Sequence, residues 1–185
     1  MAAAESNMLP LGTKAPYFQL YDTISKDMIS INDIKSDKAT VVMFICNHCP
    51  YVHHVMKKLL EITNEYMDKG VSFVAISSND VENYPQDHPD TMKMIADICH
   101  FPFPYLYDET QTVAEEYKAA CTPDFYVFDK DLKLVYRGRF DETRPQMGVK
   151  PTGKDLKNTL DAILENKKVD PKQFPSIGCS IKWKK

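Results

Sequence analysis

No run in these 185 residues approaches the roughly 20 consecutive apolar residues of a membrane-spanning helix, so no membrane partner is expected. An excess of basic charge is also lacking, with 23 Lys and Arg against 26 Asp and Glu. With a net charge of −3 and a pI near 5.9, the chain has no broad positive footprint for nucleic acid or anionic lipid. The opening MAAAESNMLPLGTKAP lacks both a charged n-region and an apolar h-region. No secretory leader is therefore predicted, and a cytoplasmic address is expected. The five cysteines are an odd number, and in a reducing compartment they argue against a structural disulfide framework. Internal repeats, low-complexity tracts and interdomain linkers are absent from the sequence. What is present is an ordinary globular composition, 43% hydrophobic and 26% charged, in a length suited to one domain. Residues 1–11 are read as a flexible N-terminus and 12–185 as a single domain that includes a packed C-terminal tail.

Strand and helix patterns alternate along the chain, the mark of an α/β fold. YFQLYD (17–22) and MISIN (28–32) are short alternating runs suited to an N-terminal β-hairpin, and TVVMFI (40–45) reads as a central strand buried on both faces. The pattern then becomes helical, with Val52, Val55, Met56, Leu59, Thr63, Tyr66 and Met67 on one stripe and Gly70 placed to end it. VSFVAIS (71–77) is a second buried strand, followed by the polar loop SNDVENYPQDHPD and a helix from about Asp90 to Cys99. In DETQTVAEEYKAA, Asp108 is a candidate N-cap with Gln111 three residues on. FYVFD (125–129) and LKLVYRGRF (132–140) flank a polar turn, Lys130-Asp131, which predicts a hairpin. Thr152 and Asp155 have capping-box spacing before a last helix through Leu164, and the tail is expected to pack through Phe174, Ile177, Ile181 and Trp183.

Between the strand at 40–45 and its helix lies CNHCPYVHH (46–54). A helix N-terminus offers unpaired N–H groups and partial positive charge, which stabilise a thiolate, the form of cysteine that attacks disulfides. Two intervening residues bring a second sulfur within reach to resolve a mixed disulfide. If Pro50 opens the helix, Cys49 is its N-cap and lies nearest the dipole; if the helix begins near Asn47, Cys46 is the exposed attacker. His48, between the cysteines, is read either as a donor that tunes the thiolate or as an exposed loop histidine.

The strand, CNHCPYV (46–52), SSND (77–80), FPFPYLYDETQ (101–111), CTPDFYVFD (121–129), YRGRFDETRP (136–145) and GCSIKWK (178–184) together resemble the thioredoxin superfamily, specifically its peroxiredoxin-like, thioredoxin-like branch. The resemblance runs from about Gly12 to Lys184. It implies a thioredoxin fold, a central mixed β-sheet flanked by helices, with a thiol-disulfide oxidoreductase activity in antioxidant or redox homeostasis. Cys46 and Cys49 then correspond to the redox pair, with Cys46 the attacker. Pro123, preceded by Thr122, corresponds to the cis-proline, beside which the backbone pairs with an extended substrate segment. The buried acid that assists proton transfer in thioredoxin has no counterpart within TVVMFI. A histidine between the cysteines matches one strong oxidant of the superfamily, whose attacking cysteine has a pKa of about 3.5 against about 7 in thioredoxin. Protein or small-molecule disulfides are the expected substrates, with an electron donor the sequence does not identify, acting on a monomer or weak homodimer. No cofactor is implied, because the sulfurs carry the electrons.

Two other readings stand beside this one. Cys46, His48 and Cys49 with His53 or His54 include ligand types for zinc or copper, although His53 and His54 fall on the polar helix side and no second C-x-x-C or H-x-x-x-H is present. A peroxidase of peroxiredoxin type requires P-x-x-x-T-x-x-C, and ending that pattern on Cys49 puts Cys46 at the threonine and Val42 at the proline. Arg137 and Arg139, sharing a strand face, are candidates for its guanidinium or simply an exposed edge. Cys99 is expected to be a buried filler and Cys121 packing near the motif, while the position of Cys179 depends on the tail. Asn79 and Asp80 follow a strand's C-terminal end and read as polar turn residues.

Overall fold

The computed structural model describes residues 3–185. The elements run β1 (Ala3–Glu5), β2 (Gln19–Asp22), β3 (Met28–Ser30), α1 (Ile31–Ile34), β4 (Ala39–Phe44), α2 (Pro50–Met67), β5 (Ser72–Ser77), α3 (Pro89–Cys99) and β6 (Tyr105–Tyr107). Then follow α4 (Thr112–Glu116), β7 (Cys121–Thr122), β8 (Asp124–Asp129), β9 (Leu134–Gly138), α5 (Lys154–Leu164) and β10 (Ile177–Ser180). Seven strands form a mixed sheet in the order β3-β2-β6-β5-β4-β8-β9, parallel at β4–β5 and β5–β6 and antiparallel elsewhere. The expected hairpin of the N-terminal addition is there, with Leu20 opposite Ile29.

All six residues of β4 are buried because its alternating side chains enter two different cores. Val41 and Met43 join Phe73 and Ala75 of β5 and the apolar stripes of α2, α3 and α5 on one face. Val42 and Phe44 join Val74 and Ile76, Ile31 of α1 and Ala114 of α4 on the other. Full burial of such a side chain contributes about 1.5–3 kcal/mol, so the uninterrupted apolar run in the sequence is what fixes β4 at the centre.

Helix α2 ends with Gly70 in the left-handed region at φ +88, as its placement predicted, and the Val71 N–H bonds back to the Tyr66 carbonyl. Ile62 completes its buried stripe, whereas Met67 is 36% exposed. Three expectations of capping and packing differ from the structure. Helix α4 is a single short turn whose N-cap is Gln111 with positive φ, and Asp108 reaches past it to accept from the N–H groups of Val113 and Ala114 at 3.4 and 2.9 Å. The capping box at Thr152 does not form: Gly153 is the N-cap of α5, the Thr152 N–H donates to Asp141, and Asp155 pairs with Arg139 at 2.6 Å. In the tail, Ile181 is buried but Phe174 and Trp183 are each 42% exposed.

The tail and the N-terminal segment instead build a second, three-stranded antiparallel sheet, β1-β10-β7. Within the stretch expected to be a flexible N-terminus, Ala3 pairs with Cys179 and Glu5 with Ile177. A buried carboxylate anchors this sheet. Asp124 accepts from the Ser6 hydroxyl at 2.7 Å, the Tyr126 hydroxyl at 3.1 Å and the Phe125 N–H at 3.2 Å, and Ser6 Oγ in turn accepts from the Ser176 N–H at 2.8 Å. Burial outweighs those donors and pushes Asp124 up to about 7.

A carboxyl raised from 3.8 to about 7 binds its proton in the folded state across a range where the unfolded chain has lost it. Its stabilisation is complete below the unfolded pKa and fades as pH rises through the folded one, by at most about 1.4 kcal/mol per pH unit. Urea unfolding of the parent and Asp124→Asn should therefore give a stability difference that shifts against the parent between about pH 4 and 7. A pH-independent difference would show that Asp124 titrates normally.

Candidate functional site

The loop between β4 and α2 sits at the C-terminal end of a central parallel strand, where open α/β sheets build their sites. Pro50 takes the first helical position of α2 and Cys49 is its N-cap, in extended backbone at φ −86, ψ 120. Of the two geometries the sequence allowed, the one with Cys49 nearest the dipole is therefore realised. Cys46 Sγ lies 3.3 Å from the Thr122 hydroxyl, and the Cys49 thiol reaches the Thr122 carbonyl at 3.2 Å. The Thr122–Pro123 peptide is cis. Thus Cys46, Cys49, Thr122 and Pro123, 76 positions apart at the Cys46–Thr122 contact, meet at one point.

Both sulfurs are buried, Cys46 at 2% and Cys49 at 0% exposure. Their protonation is divided by their surroundings. Cys49 is drawn down to about 5, first by a hydrogen bond from the Cys46 thiol and then, against the opposing effect of burial, by the Cys179 thiol, Thr122 and the Val52 N–H of the first turn of α2. Cys46 moves in the other direction, because its proton serves Cys49, it is buried, and it faces the Asp87 carboxylate. The two directions together favour a Cys49 thiolate beside a protonated Cys46. Donation from Cys49 to the Thr122 carbonyl belongs to the state in which both are protonated.

His48 does not donate to either sulfur. Its Nδ1 lies 2.6 Å from Asp87 Oδ2, and its ring stacks on Tyr84 at 5.5 Å between centroids and 10° between planes. Asp87 is fully buried and also accepts from the Asn47 N–H at 2.7 Å and from Asn79 Nδ2 at 2.7 Å. A carboxylate receiving those bonds acts as an acceptor, so Nδ1 of His48 carries the hydrogen. His48 Nε2 is buried without a partner. Tyr105 completes the network by donating to Asn47 Oδ1 at 3.1 Å.

The alternative metal set is only partly assembled. His53 bonds the Asn47 carbonyl and His54 the Thr143 hydroxyl, so neither turns toward the cysteines. Cys46 and His48 instead come together with Asp87, their ligand atoms within 4.8 Å of one another. The Asp87 oxygens are already engaged by three donors, which makes the cluster a hydrogen-bond network first. Neither candidate arginine is bonded to the pair: Arg137 donates to the Leu9 carbonyl and to Gln173, and Arg139 pairs with Asp155.

Cys46 lines an apolar cavity of about 200 Å³ with Val52, Met56, Ile95, Phe101 and Cys99. Cys99 is half-buried at that wall rather than a core filler. Cys121 is packed, its sulfur 3.9 Å from the Ser176 carbonyl, and burial raises its pKa strongly. The edge beside Pro123, where the resemblance put an extended substrate, is occupied: β10 of the chain's own tail pairs with β7 there.

Sequence reasoning missed Asp87, Asn47 and Tyr84 and read Asn79 as a turn residue. A signal existed, since the polar loop holding Asn79, Tyr84 and Asp87 leaves the C-terminal end of β5, beside that of β4. Buried Asn79 joins site to tail, giving Nδ2 to Asp87 and accepting the Lys182 N–H at Oδ1, 2.8 Å away.

Residues 11–137 match the AhpC/TSA family. An uncharacterized conserved protein from Geobacillus kaustophilus, solved by crystallography, is 59% identical over 100% of this chain and 97% of its own, with a TM-score of 0.98. The thioredoxin domain of a thiol-disulfide oxidoreductase from Bacteroides vulgatus, 22% identical over 74% of this chain and 90% of that one, shares the fold at a TM-score of 0.60. Among curated proteins, the thiol-disulfide oxidoreductase ResA of Bacillus anthracis is 24% identical over 144 residues, 78% of each chain.

The divided protonation predicts a thiolate absorbance, measured as the difference between the parent and Cys49→Ser, that rises with a midpoint near 5. Because the Cys46 thiol is the largest cause, Cys46→Ala should move that midpoint upward. A midpoint near the ordinary 9 in both proteins would remove the charge from Cys49.

Proposed function

This chain belongs to the AhpC/TSA family, in the peroxiredoxin-like part of the thioredoxin superfamily, and we propose that it is a thiol-disulfide oxidoreductase in which Cys46 and Cys49 alternate between dithiol and disulfide. The observation that carries this reading is the pair itself: two buried sulfurs at the start of α2, both in contact with Thr122 of the cis Thr122–Pro123 peptide.

Cys46, the sulfur that lines the apolar cavity, passes its proton to Cys49 and attacks a substrate disulfide, forming a mixed disulfide and releasing one substrate sulfur. That departing sulfur takes the proton back from Cys49. The Cys49 thiolate then attacks Cys46, the mixed disulfide breaks, and the second substrate sulfur leaves. Two electrons have moved from the protein dithiol to the substrate, and the protein holds a Cys46–Cys49 disulfide. Thr122 holds both sulfurs and Pro123 fixes the turn that carries it. His48 acts at one remove. Fastened to Asp87, it keeps the carboxylate beside Cys46 and so sets how readily that thiol ionises.

Because β10 fills the edge of β7, a small-molecule disulfide entering through the cavity suits the closed form, whereas an extended protein segment requires the tail to lift. A cytoplasmic antioxidant role is part of this proposal, since an odd number of cysteines argues against a structural disulfide framework. A second reading, thiol peroxidase, is favoured by Cys49 as an N-cap thiolate followed by Pro50.

Equilibration of the metal-stripped protein in glutathione redox buffers, followed by acid quench, alkylation and peptide mass spectrometry, tests the main reading. A reversible two-electron transition confined to Cys46 and Cys49 is expected, and in Cys49→Ser a glutathione adduct should accumulate on Cys46. Two thiols that stay alkylatable in oxidising glutathione would end the oxidoreductase reading, and peroxide consumption or metal titration would then decide between the others. His48→Ala and Asp87→Asn should each move the midpoint while leaving the transition two-electron, and unchanged midpoints would make the network purely structural.

A further inference from the structure

Strand β10 lies against the site with a cysteine at the point of contact. In its antiparallel register with β7, Cys179 is opposite Thr122 and Ser180 opposite Cys121. Residues opposite one another share a face, and successive residues alternate. Thr122 turns its hydroxyl to Cys46 at 3.3 Å, so the Cys179 side chain faces the same way, into the buried cluster that holds Cys46 and Cys49. Cys121 and Ser180 take the other face, and the Cys121 sulfur is directed to the Ser176 carbonyl.

The chain has little freedom to move Cys179 away. A Cβ on Gly178 would lie 2.0 Å from the Thr122 carbonyl oxygen, so the backbone of β10 is pressed on the very peptide that holds both site cysteines. On one side the Ser176 N–H is bonded to Ser6, and on the other the Ile181 N–H reaches the Ala120 carbonyl at 3.1 Å and the Lys182 N–H reaches Asn79. Cys179 is 3% exposed, in the same buried cluster as Cys46 and Cys49.

We infer that Cys179 is a third redox-active cysteine, the tethered acceptor of a disulfide that passes from Cys46–Cys49 to Cys49–Cys179. The inference rests on the oxidoreductase reading, which supplies the first disulfide. In the transfer, Cys179 sulfur attacks Cys49 sulfur, the Cys46–Cys49 bond breaks, and the Cys49–Cys179 bond forms. Cys46 leaves with the electron pair and takes the proton that Cys179 gives up. No further oxidant is needed, because the disulfide only changes partners. Burial and the neighbouring Cys49 thiolate push the Cys179 thiol up to about 12 in the reduced protein, and the second of these causes vanishes once Cys49 is oxidised. The outcome is a tail bonded covalently over the site and a Cys46 thiol restored at the cavity. In this arrangement the tail takes the place of an extended substrate strand.

Disulfide mapping tests the transfer: the parent, Cys46→Ser and Cys179→Ser are oxidised with glutathione disulfide, quenched in acid, alkylated and digested without reduction. The parent is expected to yield both a Cys46–Cys49 and a Cys49–Cys179 linked peptide, and Cys46→Ser the second in high yield with little glutathione adduct. In Cys179→Ser only Cys46–Cys49 should remain. If the parent forms Cys46–Cys49 while Cys179 stays fully alkylated, and Cys46→Ser carries glutathione on Cys49, the transfer is overturned and the oxidoreductase reading survives. Absence of a Cys46–Cys49 peptide from Cys179→Ser, together with absence of both linked peptides from the parent, overturns both. Near-ultraviolet circular dichroism of each variant before oxidation shows whether it is folded, and a misfolded serine variant is replaced by the alanine one.

Discussion

The structure is organised around one residue, Thr122. Its hydroxyl meets Cys46, its carbonyl meets Cys49, its peptide to Pro123 is cis, and its strand is the one on which the tail is laid. Burying two thiols together forces a choice about protons, since a low-dielectric pocket penalises two charges and leaves two neutral thiols competing for the same acceptors. The chain meets this constraint asymmetrically. One sulfur is given the start of a helix and several donors, and the other is given a carboxylate for a neighbour.

That asymmetry needs support from a distance. A buried carboxylate such as Asp87 is tolerated only when its oxygens are matched with donors, and leaving it short of one costs about 1–3 kcal/mol or more. Asn47, Asn79 and His48 match it, and they come from two places in the chain: Asn47 and His48 from between the cysteines, and Asn79 from just past the end of β5. Asn79 in turn accepts a bond from the tail. The charge balance at the sulfurs and the seating of the C-terminal residues are therefore mechanically connected.

Local signals in the sequence carried most of the fold. The unbroken apolar run of β4, the periodic stripe of α2 and the Gly70 stop are each decided by neighbours a few residues away and are found where expected, and of the two helix starts the sequence left open the structure has the one at Pro50. The structure also brings Cys46, Cys49, Thr122 and Pro123 together. What could not be read involves partners distant in sequence. Asp155 looked like half of a capping box because its spacing from Thr152 is right, but Arg139, just past the end of β9, took it. His48 looked like a donor to sulfur because it stands between the cysteines, but Asp87, 39 residues on, holds it. The pairing of β1 with β10 has no local signature at all, being made of a three-residue strand and an irregular tail.

That last pairing has a kinetic meaning. The Ser6–Ser176 bond beside it joins residues 170 apart, and closing so long a loop gives no reward until nearly all of the chain is in place. Loop-closure entropy alone favours late closure of this small sheet, which covers the cysteine pair. A chain whose tail is not yet seated therefore presents Cys46 and Cys49 to thiols and disulfides that the finished fold keeps from the Thr122 edge.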